Sequence, residues 1–250
     1  MPDRPLKALL FDVFGTVVDW RRGVIEAARA LAGRRGEDVD WGAFADAWRQ
    51  EGYLEPIAQV VTGARPFTPV EELLGEVLPT LAARYRIGLK TNEFAELVSV
   101  WRRLPAWPDA KGGLERLRRR HLLAPLSNGS FAQLTEMAKR AGLPWDCVIS
   151  TELFGAYKPD AATYRGALGL LDLDPDEVML VAAHPIDLRA AAACGLRTAY
   201  VPRPEEWGPA ARPPAPPDPG FDVVATDLEA LAGTLDDPGF DWPARPETRR

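Results

Sequence analysis

Two cysteines in 250 residues, Cys147 and Cys194, are too few for a disulfide framework and do not have zinc-site spacing. They fit a reducing cytoplasm. No apolar run approaches the roughly 20 residues of a membrane span, so no membrane partner is expected. The first strand begins almost at the N-terminus, which leaves no space for a secretory leader. Basic excess is missing too: 30 Lys and Arg against 36 Asp and Glu leave a net charge of -6, which argues against nucleic acid. There is no internal repeat, so a solenoid is excluded. What remains is an ordinary globular composition, 46% hydrophobic and 26% charged. The chain is long enough for one sizeable α/β domain, or a core domain carrying a smaller insert.

The apolar run from Ala8 to Phe11 reads as a strand covered on both faces, because such a strand cannot alternate with polar residues. It stops at Asp12, followed by Gly15 and Thr16. An acid at the end of a hydrophobic strand is costly unless it is used or paired. Open α/β sheets bind ligands at the ends of their parallel strands. Asp12 is therefore the candidate nucleophile.

Helical periodicity follows over residues 22–34, with Val24, Ala27, Ala28 and Leu31 on one face, then over 41 to about 58, 70–85 and 92–101. Thr91 is the expected cap of the last of these. Residues 20 to about 104 are thus all helix, and Pro105 and Pro108 mark the exit. From there strands and helices alternate, with strands expected at 121–126, 147–150, 178–183, 198–201 and 221–225. Helices are expected at 113–120, 131–142, up to Leu171, and at 188–194 and 228–235, with a frayed tail from Asp236. The proline-dense stretch 202–219 is expected to be an extended surface loop, since proline interrupts helices and central strands alike.

Alternation broken after the first strand by a helical block predicts an α/β fold: a doubly wound parallel sheet with an inserted helical cap. Residues 1–19 and 105–250 would form the core domain and 20–104 the cap. Unusual polar clusters at Asp12, Ser127, Lys158 and Asp187 each follow a predicted strand, and in a parallel sheet those ends share one rim.

In order and spacing, Asp12-Val13-Phe14-Gly15-Thr16, Ser127-Asn128-Gly129, Lys158-Pro159-Asp160 and a fourth motif ending at Asp187 resemble the haloacid dehalogenase superfamily, which implies a Rossmann-like core. Phosphatases of that superfamily carry a second aspartate two residues after the nucleophile, to protonate the leaving group. Phe14 stands there and has no proton to give. They also hold Mg²⁺ with an acidic pair in the fourth motif, whose first position is Ala183 here, leaving Asp187 alone. The resemblance therefore implies no metal and no other cofactor. Both losses suit a reaction that expels a stable anion, such as displacement of halide from carbon by a carboxylate. Phe14 would keep that site dry.

Residues 13–20 and Trp48-Arg49-Gln50 further resemble the type II (L-2-haloacid) dehalogenases. The resemblance implies a short 2-haloacid as substrate, an Asp12 ester as intermediate and a 2-hydroxy acid as product. Arg49 would draw off the halide, with Asn128 beside it and Phe67 as an apolar wall. Ser127 would bind the substrate carboxylate, although Ser127 and Asn128 also fit a helix cap. Lys158 would keep Asp12 and Asp187 ionised. Tyr164 would orient Lys158, and Thr16 would hydrogen-bond Asp12. Dimers are common among similar enzymes, so a homodimer is an expectation.

The departures are Ala182 and His184, where the family's dehalogenases usually have serine and asparagine. His184 would hold the hydrolytic water or act as its base, with Asp187 or Glu26 to orient it. Two other readings stay open: a Mg²⁺-dependent phosphatase with atypical ligation, and a small-acid binder that forms the ester without turning it over.

Overall fold

The computed structural model describes residues 5–33, 38–209 and 220–240. Its strands are β1 (Ala8–Phe11), β2 (Leu122–Ser127), β3 (Ile149–Ser150), β4 (Val178–Ala182), β5 (Arg197–Tyr200) and β6 (Val223–Val224). They form one parallel sheet in the order β3-β2-β1-β4-β5-β6. Ala8 lies level with Leu122 and Val178, and Phe11 with Pro125 and Val181. Strand order reverses between β1 and β4, which opens a crevice at their C-terminal ends.

β1 is buried over its whole length, as its unbroken apolar run requires. Leu9 and Phe11 feed one apolar cluster, and Ala8 and Leu10 feed the other. Both faces of the sheet are therefore covered, the doubly wound arrangement expected from the sequence.

β1 is followed by a helical block of α1 (Trp20–Ala32), α2 (Trp41–Arg49), α3 (Glu55–Val61), α4 (Val70–Arg84) and α5 (Thr91–Ser99). α1 buries Trp20, Val24, Ala28 and Ala32, one face at four-residue spacing, and Asp19 caps it by accepting from the Arg22 N–H at 3.0 Å. α2 buries Trp41, Phe44, Ala45 and Trp48 in the same way. These side chains join the same continuous apolar cluster as Leu9 and Phe11, so the helical block and the core share one interior. The rest of the chain supplies α6 (Ala110–Leu117), α7 (Phe131–Ala141), α8 (Ala161–Leu171), α9 (Pro185–Ala193) and α10 (Leu228–Asp236).

Several expectations change. Thr91 is the first residue of α5 and Lys90 its cap, and the helix expected from 188 begins at Pro185. The helix expected over 41–58 is broken by a π-helical turn, Gln50–Leu54, which turns Gly52 and Tyr53 inward. A side chain at Gly52 would meet Trp48 and Val77 at 2.8 Å, so glycine lets α4 close onto that turn. The helix expected at 113–120 runs over Ala110–Leu117, and Gly113 lies inside it, its bare Cα packed against the Leu228 backbone of α10. The proline-dense stretch is not merely a surface loop: Glu206 is buried. Residues 210–219 and the tail beyond Phe240 lie outside the described residues. No described helix is long and apolar enough to cross a membrane.

Candidate active site

Asp12 continues β1, its N–H donating to Val181 O at 3.0 Å, so its side chain emerges at the crevice beside β4. The Lys158 ammonium donates to Asp12 Oδ1 at 2.9 Å and to Asp187 Oδ2 at 2.5 Å. Thr16 Oγ1 donates to Asp12 Oδ2 at 2.7 Å and accepts from the Ala183 N–H at 2.9 Å. One hydroxyl thus ties the turn after β1 to the end of β4. His184 Nδ1 lies 3.0 Å from Asp12 Oδ2. Of the residues singled out in the sequence, Asp12, Thr16, Lys158, His184 and Asp187 come together here.

Tyr164 sits one step further out than expected. It is fully buried in α8, and its hydroxyl donates to Asp187 Oδ1 at 2.5 Å, so it orients Lys158 only through that carboxylate. Asn128 Oδ1 accepts from Lys158 N at 2.8 Å and from Thr151 Oγ1, while its Nδ2 donates to Lys158 O. The amide thereby anchors the Lys158 loop and keeps one further N–H available. Ser127 is buried and accepts from the Gly129 N–H at 3.3 Å. Capping of α7 falls to Ser130, which accepts from Gln133 N. Phe67 is half-buried against Tyr157, whose hydroxyl donates to Thr68 O at 2.7 Å and brings that loop beside Lys158.

Arg49 is 4% exposed, at the last α-helical residue before the π turn. Its guanidinium carbon lies 3.9 Å from the centre of the Tyr53 ring and within 5.8 Å of the Trp20, Phe14 and Trp101 rings. Its Nε and Nη1 are buried with no hydrogen-bond partner among the described residues. An aromatic box stabilises a cation, but buried donors left unmade are expensive. Such an arrangement can receive an anion. Two rings of the box tie it to the rest of the site: Phe14 lies two residues after Asp12, and Trp20 donates its Nε1–H to Glu206 at 3.0 Å.

The orienting partner of His184 is neither Asp187 nor Glu26. Asp187 is taken by Lys158 and Tyr164, and Glu26 is exposed on α1. The partner is Glu206, whose Oε1 and Oε2 lie 3.1 and 2.9 Å from His184 Nε2. Trp20 Nε1 also donates to Glu206 Oε1 at 3.0 Å. Nothing in the sequence marked Glu206, because it stands among prolines with no periodic apolar context. The other rings of the Arg49 box, Tyr53 and Trp101, gave no signal beyond helical packing.

Burial alone would raise Asp12, yet Lys158, then His184 and Thr16, hold it well below the ordinary carboxylate range. Burial works against the charged form of Lys158, and Asp12 and Asp187 push it above its ordinary value. Burial and the nearby Asp12 charge raise Asp187 against the pull of Lys158. His184 is pushed up to about 10: burial opposes the charged ring, and Glu206 and Asp12 more than offset it. Its side chain is 32% exposed, so water partly screens the ring from both carboxylates. Glu206 falls below its ordinary value, since burial is outweighed by His184 and then Arg49.

The residues present do not suit a Mg²⁺ site. Among the described residues no three histidine, cysteine or acidic side chains gather as metal ligands. Asp12 faces an ammonium rather than further acids, with Phe14 and Ala183 at the positions that would supply them.

A Rossmann-like core with a helical insertion, and a lysine-clamped carboxylate at the end of the central strand, define a class of hydrolase. The chain belongs to the haloacid dehalogenase-like hydrolase family, whose model matches residues 6–195. It is similar to a defluorinating L-2-haloacid dehalogenase of solved structure, at 41% identity and a TM-score of 0.88, covering 93% of this chain and 96% of that one. A second L-2-haloacid dehalogenase structure matches at 40% identity and a TM-score of 0.85, over 92% and 99% of the two chains. The (S)-2-haloacid dehalogenase 4A of Burkholderia cepacia is 30% identical over 205 residues, 79% of this chain and 84% of that protein.

Proposed function

We propose that this chain hydrolyses short 2-haloalkanoic acids to 2-hydroxy acids through an ester on Asp12. The observation that carries the reading is Arg49: a buried guanidinium in an aromatic box that includes Phe14, two residues after the lysine-clamped Asp12, with two of its nitrogens unpartnered among the described residues. A halide leaving carbon needs no proton, only donors that meet its charge. Asp12 attacks carbon two from the side opposite the halide. Arg49 and the remaining Asn128 N–H receive the leaving anion. Ser127 and neighbouring backbone N–H groups hold the substrate carboxylate, and Phe14 and Phe67 keep water from the attacking oxygen. Water then cleaves the ester at the Asp12 carboxyl group, so the configuration at carbon two is inverted once. Residues 20–104 act as the cap over this site and the remainder as the core. The protein works as a homodimer in a reducing cytoplasm, where Cys147 and Cys194 stay free thiols.

A single turnover in ¹⁸O-labelled water tests the reading. Label enters Asp12 first and reaches product only in later cycles; label appearing directly in the hydroxy acid overturns the ester. Phosphate release that requires Mg²⁺ and stops with EDTA would favour the phosphatase reading instead. An Asp12 ester that forms stoichiometrically and persists would favour the binder.

A further inference from the structure

His184 stands between two carboxylates of different fates. Nδ1 meets Asp12 Oδ2 at 3.0 Å, and Nε2 meets both oxygens of Glu206 at 2.9 and 3.1 Å. With both acids ionised, each ring nitrogen has an acceptor, so the resting ring is an imidazolium. A doubly protonated ring cannot take a proton from water. Yet it faces the very carboxyl group whose carbon water must attack.

The Asp12 charge disappears when that carboxylate becomes an ester. Glu206 does not change, and it is fixed by more than His184. Trp20 Nε1 donates to it, and it sits over Gly15, where any side chain would strike it. Its loop is pinned by Arg203, which donates to Thr16 O and to both oxygens of Asp109. The other charges around the pair are Lys158, bonded to Asp12 and Asp187, Arg49, which shares the Trp20 ring with Glu206, and Asp187 on the ring's own helix, α9.

We propose that Glu206 is a positioning residue for the hydrolytic half of the reaction, and that ester formation on Asp12 is the event that frees His184 to act as its base. The inference rests on the ester reading above. In the first half, the Asp12 oxygen bonds to carbon two and the carbon–halogen bond breaks, the halide taking the electron pair. The imidazolium has then lost one acceptor and passes the Nδ1 proton to solvent, while Glu206 keeps Nε2–H and so fixes the tautomer. In the second half, water attacks the Asp12 carboxyl carbon and the bond from that carbon to the substrate oxygen breaks. One proton of the water ends on the hydroxy acid and the other on His184. The cycle closes with halide, hydroxy acid and one proton released, and with imidazolium and carboxylate restored. The base is thus unavailable until there is an ester to hydrolyse.

Rapid-quench single turnovers with 2-bromopropionate test this, with bromide, hydroxy acid and the Asp12 adduct measured separately in wild type, Glu206→Gln and Glu206→Asp. Glu206→Gln is expected to release one bromide per site, retain the Asp12 adduct by mass spectrometry, and form hydroxy acid about 100-fold or more slowly, as when the orienting acid of a catalytic histidine is lost. Glu206→Asp recovers part of that rate. In wild type, ester decay rises with pH around a midpoint below that of bromide release, since the ring feels one carboxylate fewer in the ester. In Glu206→Gln that midpoint moves lower still. Bromide and hydroxy acid falling together in Glu206→Gln, or identical midpoints for the two halves in wild type, overturns the inference. Wild type that gives neither bromide nor an adduct overturns the dehalogenase reading itself, which separates the two failures.

Discussion

Glu206 occupies the space that a side chain at Gly15 would need. A Cβ at Gly15 would lie 2.1 Å from Glu206 Oε1, and Gly15 has a φ of +92° that other residues rarely adopt. The turn after the central strand is therefore bare so that a carboxylate from a loop 191 positions later (206 minus 15) can reach His184. Gly15→Ala is expected to cost about 1–2 kcal/mol of stability from backbone conformation. It also displaces Glu206, so the Asp12 ester should persist longer than in wild type. Denaturation in urea and quench-flow detection of the adduct check the two effects. An alanine variant with normal ester decay would mean that the Gly15–Glu206 contact is not needed for turnover.

Arg49 sets stability against function. Its buried, unpartnered nitrogens weigh against the folded state, whereas Met at that position would fill an aromatic box with apolar volume. Arg49→Met is expected to be at least as stable as wild type while halide release falls by about 10²-fold or more, the usual effect of removing an anion-stabilising donor. Arg49→Lys should not rescue it, since an ammonium cannot present the same planar donors. Melting temperature and halide release, measured together, decide the point. A destabilised Arg49→Met variant would show that the guanidinium is structural.

Much of the fold was legible in the sequence because parallel strands buried on both faces read as unbroken apolar runs. Ala8–Phe11 and Val178–Ala182 are such runs, and the polar residues that follow them, Asp12 and Asp187, meet at the rim. Lys158 was legible because its motif follows a short strand in order. The π turn at Gln50–Leu54 was not, since Gly52 and Tyr53 face inward only once α4 closes on them. Glu206 was illegible for a different reason. Its burial depends on Gly15 and on Asp109, which holds the neighbouring Arg203, both remote in sequence, and local composition around it argues for solvent. Hence the sequence offers only Asp187 and Glu26 as orienting acids for His184, and the structure commits the first to Lys158 and Tyr164 and leaves the second exposed.

The charge on His184 has a thermodynamic consequence. A group raised from 6.5 to about 10 on folding binds its proton more tightly in the native state. The stabilisation is fully present below about 6.5 and is lost as pH rises through about 10. The stability gap between wild type and His184→Asn should therefore be widest near pH 6 and should shrink steadily toward pH 10. Urea denaturation of both proteins across that range measures it. A gap that is constant or grows with pH would mean that the resting ring is neutral.

Arg203 links the loop that carries Glu206 to the core. Its guanidinium donates to Asp109 Oδ1 and Oδ2 at 2.7 and 2.8 Å and to Thr16 O at 2.9 Å. Asp109 Oδ2 also accepts from Leu228 N at 2.8 Å, so one carboxylate joins this loop to α6 and α10. Burial would raise Asp109, but Arg203 and the Leu228 N–H hold it below its ordinary value. Removing one partner of a largely buried pair leaves the other unmatched, and Arg203→Met should cost about 3 kcal/mol. Asp109→Asn in the same chain should recover part of that loss, because the uncompensated charge is gone. Catalysis should respond differently from stability. The loop no longer holds Glu206 against His184, so ester decay slows more than halide release in the single and the double variant alike. If the double variant regained both stability and normal ester decay, the Arg203–Asp109 pair would be a fold element with no part in placing Glu206.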